Sequence, residues 1–276
     1  MLTIAQITDL HITSGKDPLN QRRNEDRLRQ VLKTIHERHP RPDAIVASGD
    51  LVDRGEPEEY AELVRILKDV EIPLHLGVGN HDRRGPFRAA FPLVPVDEFG
   101  FVQYAADIGG VRLVMVDTMD EGKNDGAFCR KRAAWLRRTL KAAPRTPTLV
   151  ALHHPPIPSG IQWMDPDPEA KWIRRLAKVL KGRKQVSTVI CGHVHRAFHG
   201  VLSGQVISAS PATAPQLTLN LTPVDMDAPD GREILVEEPP GYSLYRWDKG
   251  QFTSHVCVVG DFAPVATYDV PFNKAG

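Results

Sequence analysis

VSTVICGHVH, residues 186–195, is an apolar, β-branched run that stops at a glycine and leaves two histidines one residue apart. A run of this length bounded by a turn residue reads as a buried strand. Side chains at i and i+2 of an extended segment point to the same side, so His193 and His195 would project together from the strand tip. Alone, the pair also fits a solvated surface turn, and partners elsewhere in the chain must decide. They are present. LTIAQITDLH (2–11) ends in Asp9 and His11, again at i and i+2. DAIVASGD (43–50) ends in Asp50, IPLHLGVGNHD (72–82) in Asn80, His81 and Asp82, and TLVALHH (148–154) in His153 and His154. Five strand exits thus carry oxygen or imidazole donors, and in α/β sheets the carboxyl ends of the strands are where sites form.

Helical patterns lie between these exits. Leu28, Val31, Leu32 and Ile35 recur at helix spacing, as do Tyr60, Leu63, Val64 and Leu67 after Pro57. Trp135, Leu136 and Leu140 predict a third helix, and Trp172, Ile173, Leu176 and Leu180 a fourth. With VRLVMVD (111–117) as a further strand, the alternation predicts a layered α/β fold. After Gly192 the runs FHGVL, QVISAS, YSLYRW and FTSHVCVV are joined by turns and predict a second, more antiparallel sheet. Residues 211–241, rich in Pro and Asp and without periodicity, read as an irregular excursion over the mouth of the site or at a subunit contact. The expected organisation is a core over 1–210, a cap or interface segment over 211–241, and strands over 242–276 that complete the second sheet.

Composition narrows the partners. Usage is that of an ordinary globular chain, with 41% hydrophobic and 25% charged residues in 276. The 35 basic side chains balance 34 acidic ones, and without a long run of one sign the expected partners include neither a nucleic-acid polymer nor a membrane. Cys129, Cys191 and Cys257 are odd in number and widely spaced, which predicts no disulfide framework and no zinc ribbon. MLTIAQITDL runs into a strand without a secretory signal pattern, so a reducing cytoplasm is the expected location.

Asp9, His11, Asp50, Asn80, His153, His193 and His195 form a mixed oxygen and imidazole set without thiolate. Such donors suit iron, manganese, cobalt or zinc. Seven side chains exceed the needs of one ion. If one carboxylate bridges two ions, each keeps room for water and substrate, the arrangement of a two-metal hydrolytic site.

DLH (9–11), GDLVDRG (49–55), GNHD (79–82), HHPP (153–156) and GHVH (192–195) resemble, in order and spacing, the motif set of the calcineurin-like metallophosphoesterases, over approximately the first 210 residues. RPDAIVASGD, PEEY and HHPP resemble the bacterial group of class III cyclic nucleotide phosphodiesterases and glycerophosphodiesterases. The resemblance implies a four-layer α/β/β/α sandwich and a dinuclear centre. Asp9, His11 and His195 would hold one ion, Asn80, His153 and His193 the other, and Asp50 would bridge them. His154 is a weaker candidate, because adjacent strand residues face opposite sides. The implied reaction is hydrolysis of a small phosphodiester by a metal-activated hydroxide, in line with the leaving oxygen. His81 corresponds to the family's non-ligand histidine, at a phosphoryl oxygen or protonating the leaving group, and Asp53 to an acid that orients it. Arg54, Arg83 and Arg84 follow ligand-bearing turns and would meet phosphate or solvent. Trp163 and Met164 would wall an alcohol or base, or pack inward. Two other functions stay open on the same fold: a phosphomonoesterase or phosphoprotein phosphatase, whose usual GNHE is GNHD here, and a non-catalytic interaction module. A homo-oligomer is a further expectation.

Overall fold

The computed structural model describes residues 1–15 and 18–268. Chain order begins β1 (Leu2–Ile7), α1 (Pro18–His36), β2 (Ala44–Ala47), α2 (Pro57–Leu67), β3 (Leu74–Leu76), α3 (Arg84–Ala90), β4 (Tyr104–Ile108) and β5 (Val111–Met115). It continues α4 (Arg130–Ala142), β6 (Thr148–Ala151), α5 (Lys171–Leu180), β7 (Val186–Cys191), β8 (Phe198–Leu202) and β9 (Gln205–Ala209). The last elements are β10 (Gln216–Leu217), β11 (Leu235–Val236), β12 (Gly241–Asp248) and β13 (Gln251–Val258). Two sheets result, ordered β13-β12-β1-β2-β3 and β4-β5-β6-β7-β9-β8, with β10 and β11 as a separate small ladder.

Three apolar clusters stack the layers. Ile4 and Val46 of one sheet meet Leu113, Leu149 and Ile190 of the other. On the outer face of the first sheet, Ala5, Ile7 and Ile45 pack against Leu28, Val31 and Ile35 of α1 and Leu63 and Ile66 of α2. On the outer face of the second, Val114, Val150 and Val189 pack against Leu136 and Leu140 of α4 and Ile173 and Leu176 of α5. The order is therefore helix, sheet, sheet, helix. Because both faces of β1, β2, β5, β6 and β7 are covered, their runs are apolar at most positions on both faces rather than strictly alternating.

A polar network centred on Gln6 interrupts the inter-sheet core. Gln6 is fully buried; its Nε2 donates to Ser48 Oγ at 2.8 Å and to the Cys191 carbonyl at 2.7 Å, and its Oε1 accepts from the Tyr245 hydroxyl at 2.9 Å. A satisfied buried network of this kind specifies one registry, here of the exits of β1, β2 and β7.

The four runs expected as strands after Gly192 do not make a sheet of their own. β9 pairs parallel with β7, and β8 antiparallel with β9, so both extend the second sheet. β12 pairs antiparallel with β1, and β13 with β12, extending the first. The expectation that 242–276 completes the second sheet is thus corrected, and residues 269–276 of that segment lie outside the described residues. The physical reason is the open edge of β1: β2 pairs on one side only, and residues 241–248 cover the other. α3 and β4 were not anticipated, since RGPFRAA carries Gly and Pro and YAADI has one large apolar residue at each end.

Candidate metal centre

The strand-exit residues converge, though not by the alternation of an extended chain. β1 ends at Ile7 and β7 at Cys191, before the donors begin. Asp9, His11, Asp50, His193 and His195 all have left-handed backbones, with φ of 52°, 44°, 48°, 73° and 53°. Side chains in this region are sterically costly, about 1–3 kcal/mol each, and persist where the surroundings over-determine them. Here the 9–12 stretch is pinned to the 49–51 turn, with Asp9 N–H on the Gly49 carbonyl, His11 N–H on Asp50 and Ile12 N–H on Leu51. The turns are also in close contact: a Cβ on Gly79 would come within 2.2 Å of Asp50 Oδ1, and one on Gly192 within 1.9 Å of Thr8 Oγ1.

Two groups of donors result, with Asp50 touching both. Asn80 Oδ1 lies 3.0 Å from His193 Nδ1 and 3.2 Å from His153 Nε2. His11 Nε2 lies 3.1 Å from His195 Nε2, which is 3.7 Å from Asp9 Oδ1. Asp50 Oδ2 is 3.1 Å from His153 Nε2 and 3.8 Å from His11 Nε2, while its Oδ1 accepts the His81 N–H at 2.9 Å.

The donor set fits cations. Nδ1–H of His11 donates to the Asp53 carboxylate at 3.2 Å and Nδ1–H of His195 to the Pro215 carbonyl at 2.7 Å. Their Nε2 lone pairs are left facing each other, an arrangement that only a proton or a metal ion between them satisfies. In the other group, burial lowers the His153 pKa, but Asp50 and then Asp9 and Asp82 outweigh it and lift it to about 9. Those carboxylates therefore demand positive charge at a fully buried point. Burial and then His153 push His193 down to about 3, so it offers a neutral lone pair.

The calcineurin-like phosphoesterase family model matches residues 2–197. The chain belongs to the calcineurin-like phosphoesterase family. It is 28% identical over 264 residues to a probable glycerophosphodiester phosphodiesterase of Arcobacter nitrofigilis, covering 95% of this chain and 94% of the relative. It is 30% identical to a probable cyclic nucleotide phosphodiesterase of Rhodopseudomonas palustris, covering 91% and 90%. A dimetal phosphatase from Danio rerio has the same fold, with a TM-score of 0.63 at 15% identity over 94% of this chain and 99% of that one.

In this phosphoesterase, side chains outside the seven-donor set hold the donors. Asp82, fully buried, accepts N–H from Leu51 at 3.3 Å and from Gly79 at 2.8 Å on one oxygen, and the Tyr60 hydroxyl of α2 at 2.9 Å on the other. It staples the turn after Asp50 to the turn before Asn80. Burial and then Asp50 raise its pKa to about 7. From α1, Asn24 donates to the His11 carbonyl at 2.8 Å. Three residues on, buried Arg27 donates to the carbonyls of Thr213 at 2.8 Å, Ala214 at 3.1 Å and Glu238 at 2.8 Å, next to the Pro215 carbonyl that orients His195. Neither residue could be singled out from sequence, because their targets are carbonyls up to 211 positions away.

The remaining candidates separate. His81 is 39% exposed beside His11, with rings 4.5 Å apart, and its Nδ1 donates to the Asp53 backbone carbonyl at 2.6 Å. The Asp53 carboxylate is on His11 and 3.9 Å from His81, so the expectation that it orients His81 is corrected: the peptide carbonyl does so. His154 accepts from Thr118 Oγ1 at 2.9 Å and donates through Nε2 to the Asn124 carbonyl at 3.1 Å, leaving no free nitrogen. Arg84 is bidentate on buried Asp117 at 2.8 and 2.7 Å, and Arg83 folds onto the carbonyls of Asn80 and Asp82. Arg54 is exposed, 3.8 Å from Asp53.

Above the donors opens a cleft of about 430 Å³. Trp163, Met164, Leu217, Ile234 and Leu235 line its apolar side; Thr13, Asn20, Arg23 and Asn24 line the other. Thus residues from both limbs of the 211–241 excursion border the mouth. The tip of the excursion rests on the 160–164 loop, with Val224 N–H on Gln162 at 2.8 Å and the Arg232 guanidinium 5.3 Å from the Trp163 ring centre.

Proposed function

We propose that the protein hydrolyses small phosphodiesters at a two-ion centre, with Asp9, His11 and His195 holding one ion, Asn80, His153 and His193 the other, and Asp50 between them. One observation carries this reading: seven oxygen and imidazole donors from five strand exits meet at the floor of an open cleft, with two imidazole lone pairs opposed at 3.1 Å. Zinc, manganese, iron or cobalt ions bound there would neutralise phosphoryl charge and lower the pKa of water toward neutrality.

The chain's own residues supply the rest. His81, anchored through Nδ1–H, is free at Nε2 on the cleft side. In its protonated form it delivers that proton to the departing oxygen, which leaves as an alcohol beside a phosphomonoester. Trp163, Met164, Leu217, Ile234 and Leu235 face the organic substituent that a diester retains and a simple phosphate lacks. The relatives named for glycerophosphodiesters and for cyclic nucleotides support the diester class.

The test is turnover by metal-reconstituted protein of bis(4-nitrophenyl) phosphate, cyclic nucleotides and glycerophosphodiesters against 4-nitrophenyl phosphate and phosphoserine peptides. Diesters are expected to lead in kcat/KM by an order of magnitude or more. A lead for phosphopeptides would make it a phosphoprotein phosphatase. Two bound ions without turnover of any ester would make it an interaction module.

A further inference from the structure

The two outer helical layers differ in charge. In the layer over the first sheet, opposite signs alternate: Arg29 pairs with Glu25 and Arg65 with Glu62 within their helices, at 2.9 and 2.8 Å. In the layer over the second sheet, residues 130–145 hold seven Lys and Arg and residues 171–184 hold seven more, with no Asp or Glu in either stretch. All 34 acidic side chains lie elsewhere, so the whole-chain balance conceals the patch. α4 and α5 pack side by side and bring the stretches together. Arg137, Lys141, Arg145, Arg174, Lys178 and Lys181 are all exposed. Among the described residues, the exposed cations of these helices reach carboxylates twice, Arg138 to Glu98 and Arg174 to Glu169, both on loops.

This pattern opposes local helix electrostatics. Arg137 and Lys141 are like charges at i and i+4, as are Arg174 and Lys178, and each such pair disfavours the helix. Neither helix has an acidic residue in its first turn, where Arg130, Lys131 and Lys171 meet the positive end of the dipole. This like-charge repulsion, offset only in part where Lys141 and Lys178 stand in the last turns of their helices, is explained by a polyanion that covers the face.

We propose that the α4–α5 layer is a docking face for an anionic lipid surface. The exposed positions of both helices carry no aromatic side chain to stack on bases and no Asn or Gln to read base edges, which argues against nucleic acid. They also carry no large apolar side chain for insertion, so attachment is electrostatic and reversible. Among the described residues, no helix is long and apolar enough to cross a membrane, and surface docking needs none. No residue of α4 or α5 lines the cleft, so the cleft stays open to water when this layer lies on lipid. The proposal is independent of the diesterase reading.

The experiment is co-sedimentation of the full chain with vesicles of phosphatidylcholine alone or with about a quarter phosphatidylglycerol, at about 0.1 M and about 0.5 M salt. Binding is expected to the anionic vesicles only, with release at the higher salt. Replacing Arg137, Lys141, Lys178 and Lys181 by Gln should weaken it on the order of five-fold for each cation removed. The same change at Arg29, Lys33, Arg41 and Lys68 should leave it intact. Because the first set relieves repulsion, those variants should fold normally by circular dichroism and melt no lower than the parent. No sedimentation with anionic vesicles at the lower salt overturns the proposal, as does equal loss in both sets. Tighter binding to duplex DNA or RNA than to the vesicles would also overturn it, assigning the face to nucleic acid.

Discussion

The two ion positions proposed above, an inner one at Asn80, His153 and His193 and an outer one at Asp9, His11 and His195, use similar donors but different supports. The inner position is secured from within the core: His153 is fully enclosed, and Asp82 and Tyr60 tie the Asp50 and Asn80 turns together across about thirty residues of chain. At the outer position, His195 depends on the Pro215 carbonyl, set by a limb that Arg27 grips from α1. Pro215 and the Arg27 partners Thr213, Ala214 and Glu238 lie beyond the residues 2–197 that match the family. A segment beyond the matched range thus supports one proposed ion position and not the other, which offers a route for tuning the centre.

The sharpest challenge to a division into two positions is Asp50→Asn, which touches both. Both ions should be lost, with the largest fall in diester turnover of any single ligand change. Metal analysis of the purified variant checks this, and retention of two ions with near-native turnover would refute the bridging role. Next in size is His81→Ala, which should keep both ions yet lose about 10²–10⁴-fold on alkyl esters, the contribution of a positioned acid. The loss should shrink for 4-nitrophenyl diesters, whose leaving group departs without a proton. Equal losses for good and poor leaving groups would exclude proton donation.

The comparison itself is tested by Arg27→Met, with Arg27→Lys as the milder change. Calorimetric titration of metal-free protein should show the outer ion bound about 10–100-fold more weakly and the inner ion unchanged. Asp53→Asn, which removes the carboxylate from His11, should weaken the same ion, and its effect should add to that of His81→Ala rather than vanish within it. Equal weakening of both ions in folded Arg27 variants would dissolve the distinction. The smallest effect is expected from replacing the excursion tip, residues 218–233, by a short Gly linker. KM for diesters should shift by up to about tenfold, because Trp163 and the 160–164 wall lose the support of Val224 and Arg232, with metal content unaltered because the Arg27 contacts remain.

Much of this molecule was legible from its residues. Runs such as LTIAQI and VSTVIC are β-branched and continuous because both their faces are buried, and five of them end in donors that have few other reasons to recur there. The means of convergence was not legible. An i, i+2 pair predicts shared direction in an extended chain, whereas Asp9, His11, His193 and His195 turn inward through left-handed backbones that tertiary hydrogen bonds impose. Nor could pattern assign Asp53 to His11, since its carboxylate and its carbonyl serve different histidines. The cationic layer escaped for a simpler reason: its halves are separated by a strand and a loop in sequence and are joined only by packing.

β1 lies in the middle of its sheet, with β2 on one side and β12 on the other. For a chain emerging from the ribosome, this makes the earliest strand one of the last to be sealed. At about 5–20 residues per second, residues 241–248 follow β1 by roughly 10–50 s, and throughout that interval one edge of LTIAQI is open to pairing with neighbouring nascent chains. Dwell time during synthesis, and not only the stability of the finished fold, then bears on how much of this protein reaches its native state. Slowing translation across the codons for residues 150–240 is expected to lower the soluble yield without altering a single residue.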